Sequence, residues 1–316
     1  MKKHVLLILL ALTLITCSKD EDPTSSLGSW IQLNDFPGEG RNDGISLSLL
    51  GKGYWGLGGN TSNSFLRDMW AYDPATDSWT QKNDFPFDLP GVAAATASGK
   101  GYVMTYSGSL YEYNPVTDAW KYLSSFPEGN RPGIVGFGLA GDVYFGTGNG
   151  VVMDANNHFP PLKDFWKYDI SQNKWIQIAD FPGVARTAAA SFVIGEKAYV
   201  GIGYNGVGAP PFYKDMFSYD ATSNAWTPIA DFPEHNATVG IVFSNATKGY
   251  IGVNENNETH RGVVYEYDPA GNAWRKIKMF PSGSSLETQS FFLNNRSFVV
   301  GGWWSEVSEQ VFEFIP

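Results

Sequence analysis

The chain has 316 residues, including 35 Gly, 18 Pro, 21 Phe, 16 Tyr and 11 Trp, and a formal charge of −10 at neutral pH. Turn formers and aromatic residues in those amounts fit many short, half-buried strands, and no stretch reads as a long amphipathic helix. The charge argues against nucleic acid or anionic lipid headgroups as partners, and a single cysteine excludes a disulfide framework or a thiolate metal cage.

At the N-terminus, Lys2-Lys3 precedes an apolar run from Val5 to Ile15 that is too short to span a bilayer and suits a signal-peptide core. The run ends in Leu14-Ile15-Thr16-Cys17, which resembles the bacterial lipobox. That resemblance implies cleavage after residue 16, lipid attachment at Cys17 and anchorage to the outer membrane without a spanning segment. An incidental cysteine behind a plain secretory signal is the other reading. Residues 17–28 include Ser18-Lys19-Asp20-Glu21-Asp22-Pro23, a polar tether that cannot bury apolar area. From Cys17 to Ser26 it reaches about 35 Å when extended. The acidic run resembles the surface-export signal of Bacteroidetes lipoproteins, and a solvated linker explains it equally well. Loss of residues 1–16 removes two lysines and no acids, which moves the charge to −12.

From residue 29 to 316 the chain is repetitive. Trp30, Trp79, Trp120, Trp175, Trp226 and Trp274 are each followed six residues later by Phe-Pro, at intervals of 49, 41, 55, 51 and 48 residues. That period belongs to propeller blades and exceeds that of helical or leucine-rich solenoids. The fourth repeat parses into four strands. Its small, apolar innermost strand covers 186–194 and a second covers 198–203. A Gly/Pro-rich loop over 204–213 separates them from a third strand at 214–220 and an outer strand at 225–229. The last repeat stops at Pro316 without a Trp strand, whereas Trp30-Ile31-Gln32-Leu33 precedes the first complete repeat. The N-terminal strand is therefore expected to complete the last blade and close a six-bladed, all-β ring of four-stranded blades, which removes exposed edges.

The turn signature recurs as Tyr72-Asp-Pro-Ala-Thr-Asp-Ser-Trp79, Tyr113-Asn-Pro-Val-Thr-Asp-Ala-Trp120, Tyr168-Asp-Ile-Ser-Gln-Asn-Lys-Trp175 and Tyr267-Asp-Pro-Ala-Gly-Asn-Ala-Trp274. With Gly58-Gly59 and Gly301-Gly302, this spacing resembles the kelch-repeat family of β-propellers over residues 30–316. Other repeats depart from the diglycine, as in Gly146-Thr-Gly148 and Gly201-Ile-Gly203.

Eleven residues after the tryptophans, where inner strands begin at the channel mouth, stand Arg41, Pro90, Arg131, Arg186, Ala237 and Ser285. Two readings are open for the arginines. Three converging guanidinium groups would bind a carboxylate or sulfate, such as that of a sugar acid. Alternatively each reaches an Asp of its own blade. The same three repeats carry Arg67-Asp68, Lys163-Asp164 and Lys214-Asp215, together with Gly-x-Gly in the intervening strand. On the same face the long loops carry His158, His260 and Trp304, and the Phe-Pro connections carry Glu234, His235 and Glu287. Aromatic faces beside His and Asn suit a saccharide surface. A protein-docking face would instead expose Val151, Val152, Phe159 and Phe212.

Galactose oxidase shares the propeller architecture, but its copper site needs a tyrosine cross-linked to a cysteine, and Cys17 lies outside the propeller. No metal-ligand spacing, nucleophile elbow or phosphate loop is present, so no metal or cofactor is expected. The sialic-acid mutarotases are also exported six-bladed kelch proteins. That resemblance implies ring opening by proton transfer, with Glu234, Glu287 or His235 as the available base. The reading adopted from sequence is a non-catalytic cell-envelope protein that recognises a glycan or protein through its loop face. A sugar mutarotase and a structural subunit of an envelope complex are the alternatives.

Overall fold

In the computed structural model the described residues are 28–60, 62, 64–88, 90–153, 158–206, 212–234, 238–254, 262–277, 280–281, 288–302 and 307–316. Among them there is no helix, so none is long and apolar enough to cross a membrane. Strand β1 (Ser29–Gln32) opens the chain. Blade 1 is β2 (Ile45–Leu49), β3 (Lys52–Gly56), β4 (Met69–Asp73) and β5 (Ser78–Lys82). Blade 2 is β6 (Gly91–Ala97), β7 (Lys100–Thr105), β8 (Ser109–Asn114) and β9 (Ala119–Ser125). Blade 3 is β10 (Val135–Leu139), β11 (Asp142–Gly146), β12 (Phe165–Asp169) and β13 (Lys174–Gln177). Blade 4 is β14 (Ala190–Ile194), β15 (Lys197–Gly201), β16 (Met216–Asp220) and β17 (Ala225–Ile229). Blade 5 is β18 (Thr238–Ser244), β19 (Gly249–Asn254), β20 (Gly262–Asp268) and β21 (Ala273–Lys276), and blade 6 is β22 (Gln289–Leu293), β23 (Arg296–Val300) and β24 (Val311–Ile315).

Each blade is an antiparallel meander, and blade 6 takes β1 as its fourth strand in the order β1-β24-β23-β22. Trp30 pairs with Phe314 and Gln32 with Phe312. Inner strands β2, β6, β10, β14, β18 and β22 contact one another in sequence, and β22 returns to β2. The expected six-bladed ring and its closure by the N-terminal strand are both present.

The period of the sequence is the period of one packing unit. In every blade the Phe of the incoming connection meets the blade's Trp edge-to-face, with centroids 4.9–5.5 Å apart: Phe36 on Trp79, Phe85 on Trp120, Phe126 on Trp175, Phe181 on Trp226, Phe232 on Trp274 and Phe280 on Trp30. This geometry suits the ring quadrupoles and adds to the area they bury. The last pair joins the two ends of the chain. Five blades add a Tyr against the Trp, whose hydroxyl donates to the turn residues Asp77, Asp118, Asn173, Asn224 and Asn272. Those turn residues have φ between 45° and 53°, a left-handed conformation that Asp and Asn tolerate. In blade 6 the chain is open at that turn, and Phe314 replaces the Tyr.

The inner strands are shorter than expected. In blade 4 the strand begins at Ala190 rather than Arg186, because Arg186 and Thr187 form isolated bridges to Leu162 and Tyr204, and Ala188 turns to a φ of 50°. The second and third strands of that blade are 197–201 and 216–220, and the outer strand matches. Inner strands of blades 2 and 3 approach closely, since a Cβ on Gly138 would lie 1.8 Å from the Thr96 carbonyl oxygen.

Candidate functional site

Arg41, Arg131 and Arg186 are 1%, 2% and 0% exposed. Each is turned into its own blade. Arg41 donates from Nη1 and Nη2 to Asp68 at 2.6 and 2.8 Å, Arg131 donates to Asp164 at 2.7 Å, and Arg186 donates from Nη2 to both Asp215 oxygens at 2.9 and 2.7 Å. The Phe of the incoming connection covers each guanidinium, with Cζ to centroid distances of 5.0, 4.9 and 4.5 Å over Phe36, Phe126 and Phe181. Arg41 and Arg186 also donate to the carbonyls of Leu57 and Ile202, the middle residues of the Gly-x-Gly segments. Leu57, Thr147 and Ile202 have φ of 56°, 59° and 49°, a left-handed conformation costly above all for the β-branched Thr147 and Ile202.

The in-blade salt bridge is thus the arrangement present, and the converging anion site is not, because the guanidinium groups are covered and paired. Burial pushes the Asp68 carboxyl up, but the Arg41 hydrogen bonds and charge, with the Trp70 indole, outweigh it and hold the carboxyl below its ordinary value.

The Phe-Pro connections run to the openings of the third strands. Phe36, Phe85, Phe126, Phe181 and Phe232 donate their backbone N–H to Glu309, Arg67, Gly108, Lys163 and Lys214, at or beside the openings of the third strands. Along the inner strands, buried residues such as Ile45, Leu47 and Leu49 face the neighbouring blade, and the alternate positions face the axis. Those axial positions carry hydroxyls: Ser46 donates to Gln289 Oε1 at 3.2 Å, Ser191 to the Gly136 carbonyl at 3.2 Å, and Ser290 to the Val242 carbonyl at 2.6 Å. Blades 2 and 3 meet directly, which leaves the open volume on the side of blades 4, 5, 6 and 1. A cavity of about 320 Å³ lies there, lined by Ser46, Ala189, Ala190, Ser191, Val239, Gly240, Val242, Thr288, Gln289 and Ser290. A second, of about 170 Å³, continues from it past Ser48, Ser244 and Phe292.

Of the remaining expected site residues, His158 is exposed in the loop of blade 3, and Cys17, His235, His260, Glu287 and Trp304 lie outside the described residues. Glu234 is half-buried and accepts a hydrogen bond from the buried Tyr265 hydroxyl. In the apolar set, Val151, Val152 and Phe159 are exposed with Met153, whereas Phe212 is half-buried against Tyr204. Among the described residues no group of three His, Cys, Asp or Glu could hold a metal ion.

The Kelch motif family matches residues 57–86, the segment that holds Gly58-Gly59, Asp68, Tyr72, Trp79 and Phe85-Pro86. A Kelch motif within a ring of six closed four-stranded blades supports a kelch-type β-propeller. The propeller is 24% identical over 202 residues to N-acetylneuraminate epimerase 1 of Escherichia coli O6:H1, covering 51% of each chain. It is 27% identical over 176 residues to the N-acetylneuraminate epimerase of Pasteurella multocida, covering 53% of this chain and 43% of that one. The propeller therefore spans about half the length of the curated relatives it matches, or less. A solved structure of YjhT superposes with a TM-score of 0.73 at 18% identity, covering 88% of this chain and 95% of that one, which speaks for the fold.

One residue of the kelch propeller's channel rim was not singled out by the spacing of tryptophan and arginine. Asp43 stands between the Asn42 bridge to Gly59 and the start of β2, with its side chain open to solvent and a φ of 50°. Partial desolvation by the surrounding ring raises its carboxyl above the usual carboxylate value. Alignment thirteen residues after each tryptophan, rather than eleven, would have exposed it.

Proposed function

We propose that this kelch propeller binds a saccharide at the mouth of its central channel, as a recognition protein of the cell envelope. The observation that carries the reading is the axial cavity of about 320 Å³, walled by Ser46, Ser191, Ser290, Thr288 and Gln289. Its volume is at the lower end of small-molecule sites, and hydroxyl and amide groups both donate and accept, as sugar hydroxyls require. The names of the relatives add support for a sugar ligand. A thermal-shift and calorimetric screen against neutral sugars, uronic acids and N-acetylneuraminate tests it. At least one saccharide is expected to bind, and Ser46→Ala is expected to weaken it about tenfold while the unliganded melting temperature stays within about 2 °C. Failure of every saccharide to bind would remove the reading.

Sugar mutarotation is the second reading, favoured by relatives named N-acetylneuraminate epimerase. It needs a group that moves a proton between the anomeric hydroxyl and the ring oxygen. Among the described residues lining the cavity there is no carboxylate or imidazole. Anomer exchange followed by NMR on any sugar that binds separates the two readings.

We also place the propeller on a lipid anchor at Cys17. In blade 6 the chain enters β1 opposite Ile315, at the end of the blade where the others carry the tight turn. An anchored propeller would thus turn its loop face and channel mouth away from the membrane. Labelled fatty acid is expected to enter the protein in the producing cell, and Cys17→Ser is expected to abolish the label and release the protein to the soluble fraction.

A further inference from the structure

The rim of the channel has a repeated position, thirteen residues after each blade tryptophan, and two repeats have an acid there, Asp43 and Glu287, of which Glu287 lies outside the described residues. Gly133 and Ala188 stand thirteen residues after Trp120 and Trp175, as Asp43 does after Trp30, and have φ of 68° and 50° against 50° for Asp43. The two touch across adjacent blades, with the Ala188 N–H donating to the Gly133 carbonyl at 3.1 Å. Val239, thirteen residues after Trp226, lines the axial cavity itself. Among the described residues at this position, which are Asp43, Val92, Gly133, Ala188 and Val239, only Asp43 is ionisable.

The left-handed backbone does not require this carboxylate, because Gly133 and Ala188 adopt the same conformation. The contrast with two other left-handed aspartates is informative. Asp77 and Asp118 accept hydrogen bonds from the Tyr72 and Tyr113 hydroxyls and from the backbone of the preceding connection. Asp43 has no such bond and no paired cation among the described residues, and the nearest arginine in sequence, Arg41, is fully engaged with Asp68. Its side chain remains exposed where the blades converge. A charge at such a place acts on whatever enters the channel, because the surrounding low-dielectric wall strengthens its field.

We propose that Asp43 is a specificity-determining residue of the channel mouth, accepting a hydrogen bond from an uncharged sugar and repelling the corresponding sugar acid. The inference rests on the saccharide reading above and narrows it to neutral sugars, against what the names of the relatives suggest. The raised carboxyl of Asp43 agrees with a group that lacks a compensating cation.

The test is a calorimetric titration of the full chain with matched pairs, galactose against galacturonate and glucose against glucuronate, repeated with Asp43→Asn and Asp43→Gly. The glycine variant keeps the left-handed backbone of blade 3. For the unaltered protein a neutral sugar is expected to bind about tenfold tighter than its acid, and both variants are expected to narrow that gap about fivefold by strengthening the acid. Equal affinity for both members of a pair, or variants that change both equally, would overturn the role of Asp43 while leaving saccharide binding intact. Absence of binding by any sugar would overturn both.

Discussion

A chain that begins after Leu33 is expected to lose cooperative unfolding and to aggregate, whereas one that begins at residue 27 should melt as a single folded body. Strand β1 supplies four paired residues to β24, and the link beyond it adds Leu33 N–H to the Val311 carbonyl at 3.0 Å and Phe36 N–H to Glu309 at 2.8 Å. Trp30 also contacts Phe280, Phe314 and Phe243 at 4.9, 4.9 and 6.0 Å. Its removal bares the edge of Val311-Phe-Glu-Phe-Ile315, in which Phe312 and Phe314 are buried in the closed ring. An apolar edge without charges turned outward is a template for pairing with another chain. Trp30→Ala separates the side chain from the strand. With Trp30 half-buried it is expected to cost about 3 kcal/mol, the lower part of the range for large aromatic truncations, and to leave a folded ring. Circular dichroism melts and light scattering on the three chains check the order. A truncated chain that melts sharply at the temperature of the intact one would show that five complete blades close without β1.

The parts of this architecture legible from sequence are those in which one residue type has one job in every blade. Trp and Phe recur because each connection must deliver a ring to the outer strand of the next blade, so their spacing carried blade number, strand order and closure. The pairing of Arg41, Arg131 and Arg186 with Asp68, Asp164 and Asp215 was legible for a similar reason: the two residue types appear and vanish together. Strand starts were not legible. Residues 187–189 are small like the strand that follows, but the buried Arg186 and the left-handed Ala188 draw them off the ladder. The channel was less legible still. Its walls are mostly small residues, Ser, Ala, Val and one Gly, with weak patterns, and its off-axis opening depends on how closely Gly136 and Gly138 let blade 3 approach blade 2. Asp43 was not legible because arginine recurs at the eleventh residue after the tryptophans, whereas the thirteenth has no pattern: Asp43, Val92, Gly133, Ala188, Val239 and Glu287.

The arginine pairs should matter to stability far more than their number suggests, and Arg186→Ala should show it. Arg186 is fully buried, donates to Asp215, to the Val184 and Ile202 carbonyls, and lies between the rings of Phe181 and Tyr213. Its loss strands Asp215, uncovers two aromatic faces and leaves the left-handed Ile202 without the bond that holds it. Breaking one side of such a pair costs about 3 kcal/mol or more, or a melting temperature lower by roughly 5–10 °C for a domain of this size. Arg186→Met combined with Asp215→Leu should recover most of that loss, because an apolar pair of similar volume needs no compensating charge. In blade 1 the same logic has a pH signature. Because Arg41 and Trp70 hold the Asp68 carboxyl below its ordinary value, its contribution is complete above that value, and is lost as the pH falls through the lower folded value. Asp68→Asn should therefore weaken the protein at pH 7 yet flatten the acid limb of its stability profile below about pH 4. A melting temperature for Arg186→Ala equal to that of the parent would instead mark these guanidinium groups as surplus to the fold, and reopen the case for an anion at the channel mouth.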